Sequence, residues 1–100
     1  MKFEFFSDPG HGWLKVPGAL LRELGIVDKI TPYSYAAAGF GFLEEDCDAS
    51  LFLATARQAG LAITFRDVTC ADRHSRIRNY DPYSPERARK NLANLRGAVL

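Results

Sequence analysis

The stretch Ser7-Asp8-Pro9-Gly10-His11-Gly12-Trp13-Leu14-Lys15-Val16-Pro17 decides how this chain begins to fold. Pro9 presets φ for the first central position of a turn, and Gly10 tolerates the positive φ that a type II turn needs next. Phe3 and Phe5 before the turn, and Trp13 to Val16 after it, alternate as the two arms of a hairpin. Gly12 frees the backbone just before Trp13. An imidazole and the only tryptophan are therefore expected at the hairpin tip, beside Asp8, as a recognition surface.

The local pattern returns further on, where Gly10-His11-Gly12-Trp13-Leu14 is matched by Gly39-Phe40-Gly41-Phe42-Leu43. Between them, Pro17-Gly18 opens a short helix from Ala19 to Leu24, with Leu20, Leu21 and Leu24 on one face. Gly25 is its C′ stop, and Ile26 makes the accompanying apolar contact. Thr31-Pro32 marks a break. Tyr33 to Ala36 and Phe40 to Leu43 form a second hairpin around Ala37-Ala38-Gly39. The acidic run Glu44-Glu45-Asp46-Cys47-Asp48 leads into a helix from about Ala49 to Ala59, with Asp46 or Asp48 as N-cap. Phe52, Ala56 and Ala59 are its expected buried stripe, and Gly60 ends it.

Leu61 to Arg66 alternates as a strand, and its parity changes at Asp67-Val68, where a bulge or the strand's end is expected. Residues 71–83 read as a polar, basic connecting loop. Ser84-Pro85-Glu86 is a helix start. Ala88, Leu92, Leu95 and Val99 continue it as an amphipathic C-terminal helix over 84–97. The expectation is one α+β domain over 1–100 in ββα-ββα-βα order. Its sheet is small and mainly antiparallel, of about five strands, with the helices packed on one face.

A hydrophobic share of 47% and a charged share of 25% are those of a globular chain and argue against intrinsic disorder. The apolar runs are too short for a transmembrane helix. Glu4 and Asp8 interrupt what a signal peptide would need, so the cytoplasm is the expected compartment. Cys47 and Cys70 fit it as two buried free thiols. The net charge of +1 divides unevenly: residues 1–65 carry five Lys/Arg against eight Asp/Glu, and residues 66–100 carry eight against four. A two-signed field of this kind differs from a uniform nucleic-acid footprint.

His11 with Asp8 and Trp13 is the first candidate constellation, since a neutral imidazole near a carboxylate serves as acid or base. A capped turn with a solvated His11 and a packed Trp13 explains the same residues. No nucleophile stands at a motif spacing, and no catalytic residue is assigned. Glu44, Glu45, Asp46 and Asp48 have the chemistry of a hard-cation site but no calcium-loop pattern, and a solvated helix start accounts for them. His11, Cys47, Cys70 and His74 lack paired zinc-ligand spacing. Neither a metal nor a cofactor is expected.

Arg73-His74-Ser75-Arg76-Ile77-Arg78-Asn79-Tyr80 is the most suggestive surface segment. Its guanidiniums and polar-tipped rings suit phosphates or an acidic protein patch. Arg87, Arg89, Lys90 and Arg96 extend the basic character without forming a single stripe. Ion pairs to the chain's own Asp67, Asp72 and Asp81 are the alternative. No P-loop, dinucleotide fingerprint, helix-turn-helix or aromatic RNA-binding sheet motif is present.

The strings D-P-G-H-G-W-L-K-V-P, L-G-I, P-Y-S-Y, L-E-E-D-C-D and R-H-S-R-I-R-x-Y span about residues 7 to 85. Through them the chain resembles a family of small uncharacterised proteins encoded on bacteriophages, prophages and plasmids. The resemblance implies an accessory protein of a mobile element. Its most specific form is an anti-CRISPR or similar anti-defence inhibitor that binds a host protein or ribonucleoprotein complex, such as a CRISPR effector. Arg73, His74, Arg76, Arg78, Tyr80, His11 and Trp13 are the expected partner-binding residues. A nucleic-acid-binding module built on residues 73–96 is the second reading. A small hydrolase or nuclease using His11 with a carboxylate is the third.

Overall fold

Strands β1 (Lys2–Ser7) and β2 (Gly12–Pro17) pair antiparallel, with Phe5 opposite Leu14 and Ser7 opposite Gly12. The two-residue period of a strand sends Phe3, Leu14 and Val16 to one face and Trp13 to the other. The computed structural model describes residues 1–70 and 75–86. Across them run helix α1 (Gly18–Glu23), strands β3 (Tyr35–Ala37) and β4 (Phe40–Glu44), helix α2 (Asp48–Gln58), strand β5 (Thr64–Thr69), a 3₁₀ helix (Arg76–Asn79) and strand β6 (Asp81–Pro82). The fold is α+β, with one mixed, mostly antiparallel sheet in the order β5-β1-β2-β4-β3-β6. It has six strands rather than about five, because the stretch read as a connecting loop contributes β6 at one edge.

Both expected helix stops are present and use the same chemistry. Gly25 and Gly60 adopt φ of +73° and +79°. Past each glycine a backbone N–H reaches back into the last turn, from Ile26 to the Leu21 carbonyl and from Leu61 to the Ala56 carbonyl, both 3.0 Å. These are Schellman closures. In the second hairpin Ala38 and Gly39 both take positive φ (53° and 84°), the backbone of a type I′ turn. The first hairpin departs from expectation, since Gly10 is absent from the positive-φ residues. Its turn is instead held by Asp8, whose Oδ1 accepts the N–H groups of Gly10 and His11. Gly10 is small for another reason: a Cβ there would lie 2.9 Å from Arg78 Nη2.

The helix-side core joins Phe3, Leu14, Val16 and Leu43 of the sheet to Leu20 and Leu21 of α1 and Ala49, Phe52 and Ala56 of α2. Each large apolar side chain buried here contributes about 1.5–3 kcal/mol. Phe3 and Phe52 meet edge to face at 5.4 Å. The stripe of α2 is thus Ala49, Phe52 and Ala56, while Ala59, at the C-cap, is exposed. Tyr83 joins this core, its hydroxyl donating to the Val27 carbonyl at 2.6 Å.

The opposite face carries a second cluster of Trp13, Phe42 and Ile77, with Tyr35, Phe40 and Tyr80 packed against it. Both helices lie on one face as expected, and the 3₁₀ segment closes the other. Strand β5 begins at Thr64 rather than Leu61. It runs parallel to β1 from Lys2↔Thr64 to Ser7↔Thr69 with no bulge at Asp67-Val68. The change of side-chain parity there has a simple origin: β5 is exposed along most of its length, so no buried face enforces alternation. Of the C-terminal helix expected over 84–97, residues 85 and 86 are helical, and the remainder from 87 lies outside the described residues. Among the described residues, no helix is long and apolar enough to cross a membrane.

Candidate functional site

Two acidic corners stand where β2 begins and β4 ends: Glu44 lines a cleft there, and Asp8 is bonded to the Arg78 that lines it. The first is Asp8, whose side chain is 1% exposed. Beyond the two turn amides, it accepts the Ser75 N–H at 2.9 Å and a two-pronged bond from Arg78, Nε at 2.6 Å and Nη2 at 2.8 Å. The Arg78 guanidinium holds the Asp8 carboxyl far below the usual carboxylate range against the opposing effect of burial. The Ser75, Gly10 and His11 amides act in the same direction. Arg78 in turn is kept charged by Asp8, and its guanidinium carbon sits 5.3 Å over the Trp13 ring.

The second corner is Glu44, opposite Trp13 in the ladder and 10% exposed at its side chain. Its Oε2 accepts the N–H groups of Asp46 (2.9 Å) and Cys47 (3.1 Å), which orders the entry to α2. Its Oε1 is turned to His11, with Nδ1 at 3.8 Å, beyond hydrogen-bonding distance. Neither Asp46 nor Asp48 caps α2. Cys47 holds the N-cap position without a side-chain bond. The buried Asp48 reaches back to the Thr31 N–H, the Thr31 hydroxyl and the Ser34 hydroxyl, fixing the 31–34 loop.

The cleft, of about 360 Å³, is walled by Trp13, Tyr33 and Tyr35, with His11, Glu44, Asp46, Cys47 and Arg78 around it. Trp13 is buried and meets Tyr35 edge to face at 6.1 Å, so it is a floor of the cleft. Tyr33 is 75% exposed at its rim. Both cysteines are free, but neither is buried as expected: Cys47 is exposed and Cys70 half-buried. Desolvation raises the pKa of its thiol, and Glu44, Asp48 and Asp46 raise it further. A protonated thiol among carboxylates is a poor nucleophile. Glu44, Glu45 and Asp46 bring carboxylate oxygens within 4.8 Å of one another, whereas Asp48 is turned away toward Thr31 and Ser34.

The seven expected partner-binding residues are thus distributed unevenly. His11, Trp13 and Arg78 meet at the cleft. Tyr80 packs on Phe42, with centroids 5.0 Å apart, in the second cluster. Arg76 is exposed and lines a separate groove of about 540 Å³ with Phe6, Val68 and Cys70. Arg73 and His74 lie outside the described residues. Arg78 pairs with Asp8 rather than with Asp67 or Asp81. Tyr33, Tyr35, Glu44 and Cys47 were not singled out as site residues by sequence. The one available signal was the period-2 spacing of the tyrosines in Pro32-Tyr33-Ser34-Tyr35. Comparison of the chain with protein-family profiles, with curated proteins and with solved structures finds no match.

Proposed function

We propose that this is a non-enzymatic binding protein that takes hold of a macromolecular partner through the cleft between Arg78 and Glu44. The observation that carries the reading is how the cleft's polar groups are employed. Asp8 is saturated and offsets the charge of Arg78, one oxygen of Glu44 organises a helix entry, and the carboxylates around Cys47 raise the pKa of its thiol. What faces outward is a preordered aromatic wall with an exposed tyrosine at its rim, the residue type that anchors interfaces. A hydrolase would need an activated nucleophile, and the thiol that borders the cleft, Cys47, is pushed toward its protonated form by the carboxylates around it. A phosphate clamp would need Arg78, whose charge is offset by Asp8 and whose Nε and Nη2 donate to it.

The narrower form, a mobile-element inhibitor of host defence, rests on the genomic company and small size of the proteins the chain resembles, not on a shared motif. Its test is a phage-protection assay in a host with an active defence system. Folded wild-type protein should suppress protection, and Tyr33→Ala, an exposed change, should abolish suppression while leaving unfolding unaltered. Full suppression by Tyr33→Ala together with loss in a folded His11→Ala variant would favour catalysis over binding.

A further inference from the structure

We propose that the cleft receives a basic side chain of a protein partner, a guanidinium or ammonium group, with Glu44 Oε1 as its counter-charge and Trp13, Tyr33 and Tyr35 as its walls. This rests on the binding reading above and names its ligand. Glu44 is nine-tenths buried at its side chain, and its two oxygens are used differently: Oε2 takes two backbone amides, whereas among the described residues no N–H hydrogen-bonds Oε1, which is not cut off from solvent. A carboxylate oxygen that reaches the cleft without an N–H donor keeps its acceptor capacity for a ligand. The aromatic walls beside it are the surroundings in which a desolvated cation is attracted to ring faces.

Charge points the same way. Among the described residues, the only cation of fixed charge lining the cleft is Arg78, which is neutralised by Asp8, and no lysine or arginine pairs with Glu44 or Asp46. Among these residues an anionic ligand would meet two carboxylates and one already paired guanidinium. His11 stands 3.8 Å from Oε1 and is half exposed, so it can swing aside as a ligand enters. The neighbouring carboxylates of Glu45 and Asp46 are exposed rim groups that add attraction at longer range.

The test is a titration of the ¹⁵N-labelled full chain with N-acetyl-arginine amide and N-acetyl-lysine amide, read at the Trp13 indole N–H. N-acetyl-citrulline amide, guanidinium, putrescine and calcium chloride serve as comparisons. Saturable shifts with the two basic amides and none with the neutral citrulline isostere are expected. Glu44→Gln keeps an acceptor for the two amides and should weaken binding at least tenfold. Tyr33→Ala, remote from the core, should weaken it severalfold, so that the claim stays testable if the first variant unfolds. An equal response to citrulline, or unchanged affinity in both folded variants, overturns the proposal. Tighter binding of putrescine or guanidinium overturns the protein source in favour of a free organic cation, and tighter calcium binding reassigns the carboxylates to a metal. If no cation binds while Tyr33→Ala still abolishes partner capture, the ligand class fails and the binding reading stands. If the basic amides bind but cleft variants leave capture unchanged, the binding reading fails with the proposed source.

Discussion

Asp8 and Glu44 are two enclosed carboxylates, Glu44 lining the cleft and Asp8 bonded to the Arg78 that lines it, and they are completed to different degrees. Asp8 receives five hydrogen bonds from three backbone amides and one guanidinium. Glu44 receives two from backbone amides, both on a single oxygen, beside the Cys47 thiol and with no guanidinium or ammonium partner among the described residues. A saturated buried acid has no capacity left for a ligand, so Asp8 belongs to the fold: it ties the first hairpin to the 3₁₀ segment. A half-saturated one retains an acceptor aimed at the cleft. The difference between structure and recognition here lies in the number of donors each carboxylate already has.

The largest expected effect is on the saturated side. Asp8→Ala leaves the Ser75, Gly10 and His11 amides and the Arg78 fork without their acceptor, and should cost about 2–4 kcal/mol in urea unfolding. The same corner governs acid sensitivity. The folded Asp8 carboxyl titrates far below its unfolded value, which is about 3.9. Its stabilisation is therefore full above the unfolded pKa and lost as pH falls below about 4. Wild-type unfolding free energy should decline over that acid range, and Asp8→Asn should decline less steeply.

An intermediate effect is expected at Gly12, whose carbonyl accepts the Glu45 N–H. A Cβ would lie 2.5 Å from the Phe5 ring and 2.9 Å from Glu45 Oε2. Gly12→Ala should lose about 1–3 kcal/mol by overpacking, measurable as a lowered urea midpoint with an unchanged slope. The smallest effect belongs to Arg76, exposed and without an ion pair among the described residues. Arg76→Ala should change stability by less than about 0.5 kcal/mol. It should also leave cleft binding intact. A mobility shift with duplex or single-stranded nucleic acid that Arg76→Ala removes, and that rising salt abolishes, would move the recognition surface from the cleft to the 3₁₀ face.

The parts of this fold that sequence reveals are those set by neighbouring residues. The two glycine helix stops, the second hairpin and the boundaries of α1 and α2 depend on contacts within a few positions. Contacts across the chain were not legible. Arg78 lies 70 residues from Asp8, so its basic segment read as a free surface when one of its arginines closes an internal pair. Ile77 and Tyr83 are single apolar residues in a polar stretch, and nothing local distinguishes a buried one from an exposed one. Strand β5 shows no buried period because it is an exposed strand at the sheet's end. For the site, His11, Trp13 and Arg78 stood out by residue type. Glu44 read as part of a solvated helix start, since burial of its side chain depends on β2 across the ladder.

The most direct test is a paired measurement of Asp8→Asn and Glu44→Gln, with urea midpoints set beside the response of the Trp13 indole signal to N-acetyl-arginine amide. Asp8→Asn should lower the midpoint substantially and, where still folded, weaken the arginine response less than Glu44→Gln does, since it uncovers the Arg78 charge but keeps the Glu44 acceptor. Glu44→Gln should unfold within about 1 kcal/mol of wild type and lose the response at least tenfold. The reverse pattern, with Glu44→Gln the destabilised variant and its response to arginine undiminished, would contradict the division between the two carboxylates.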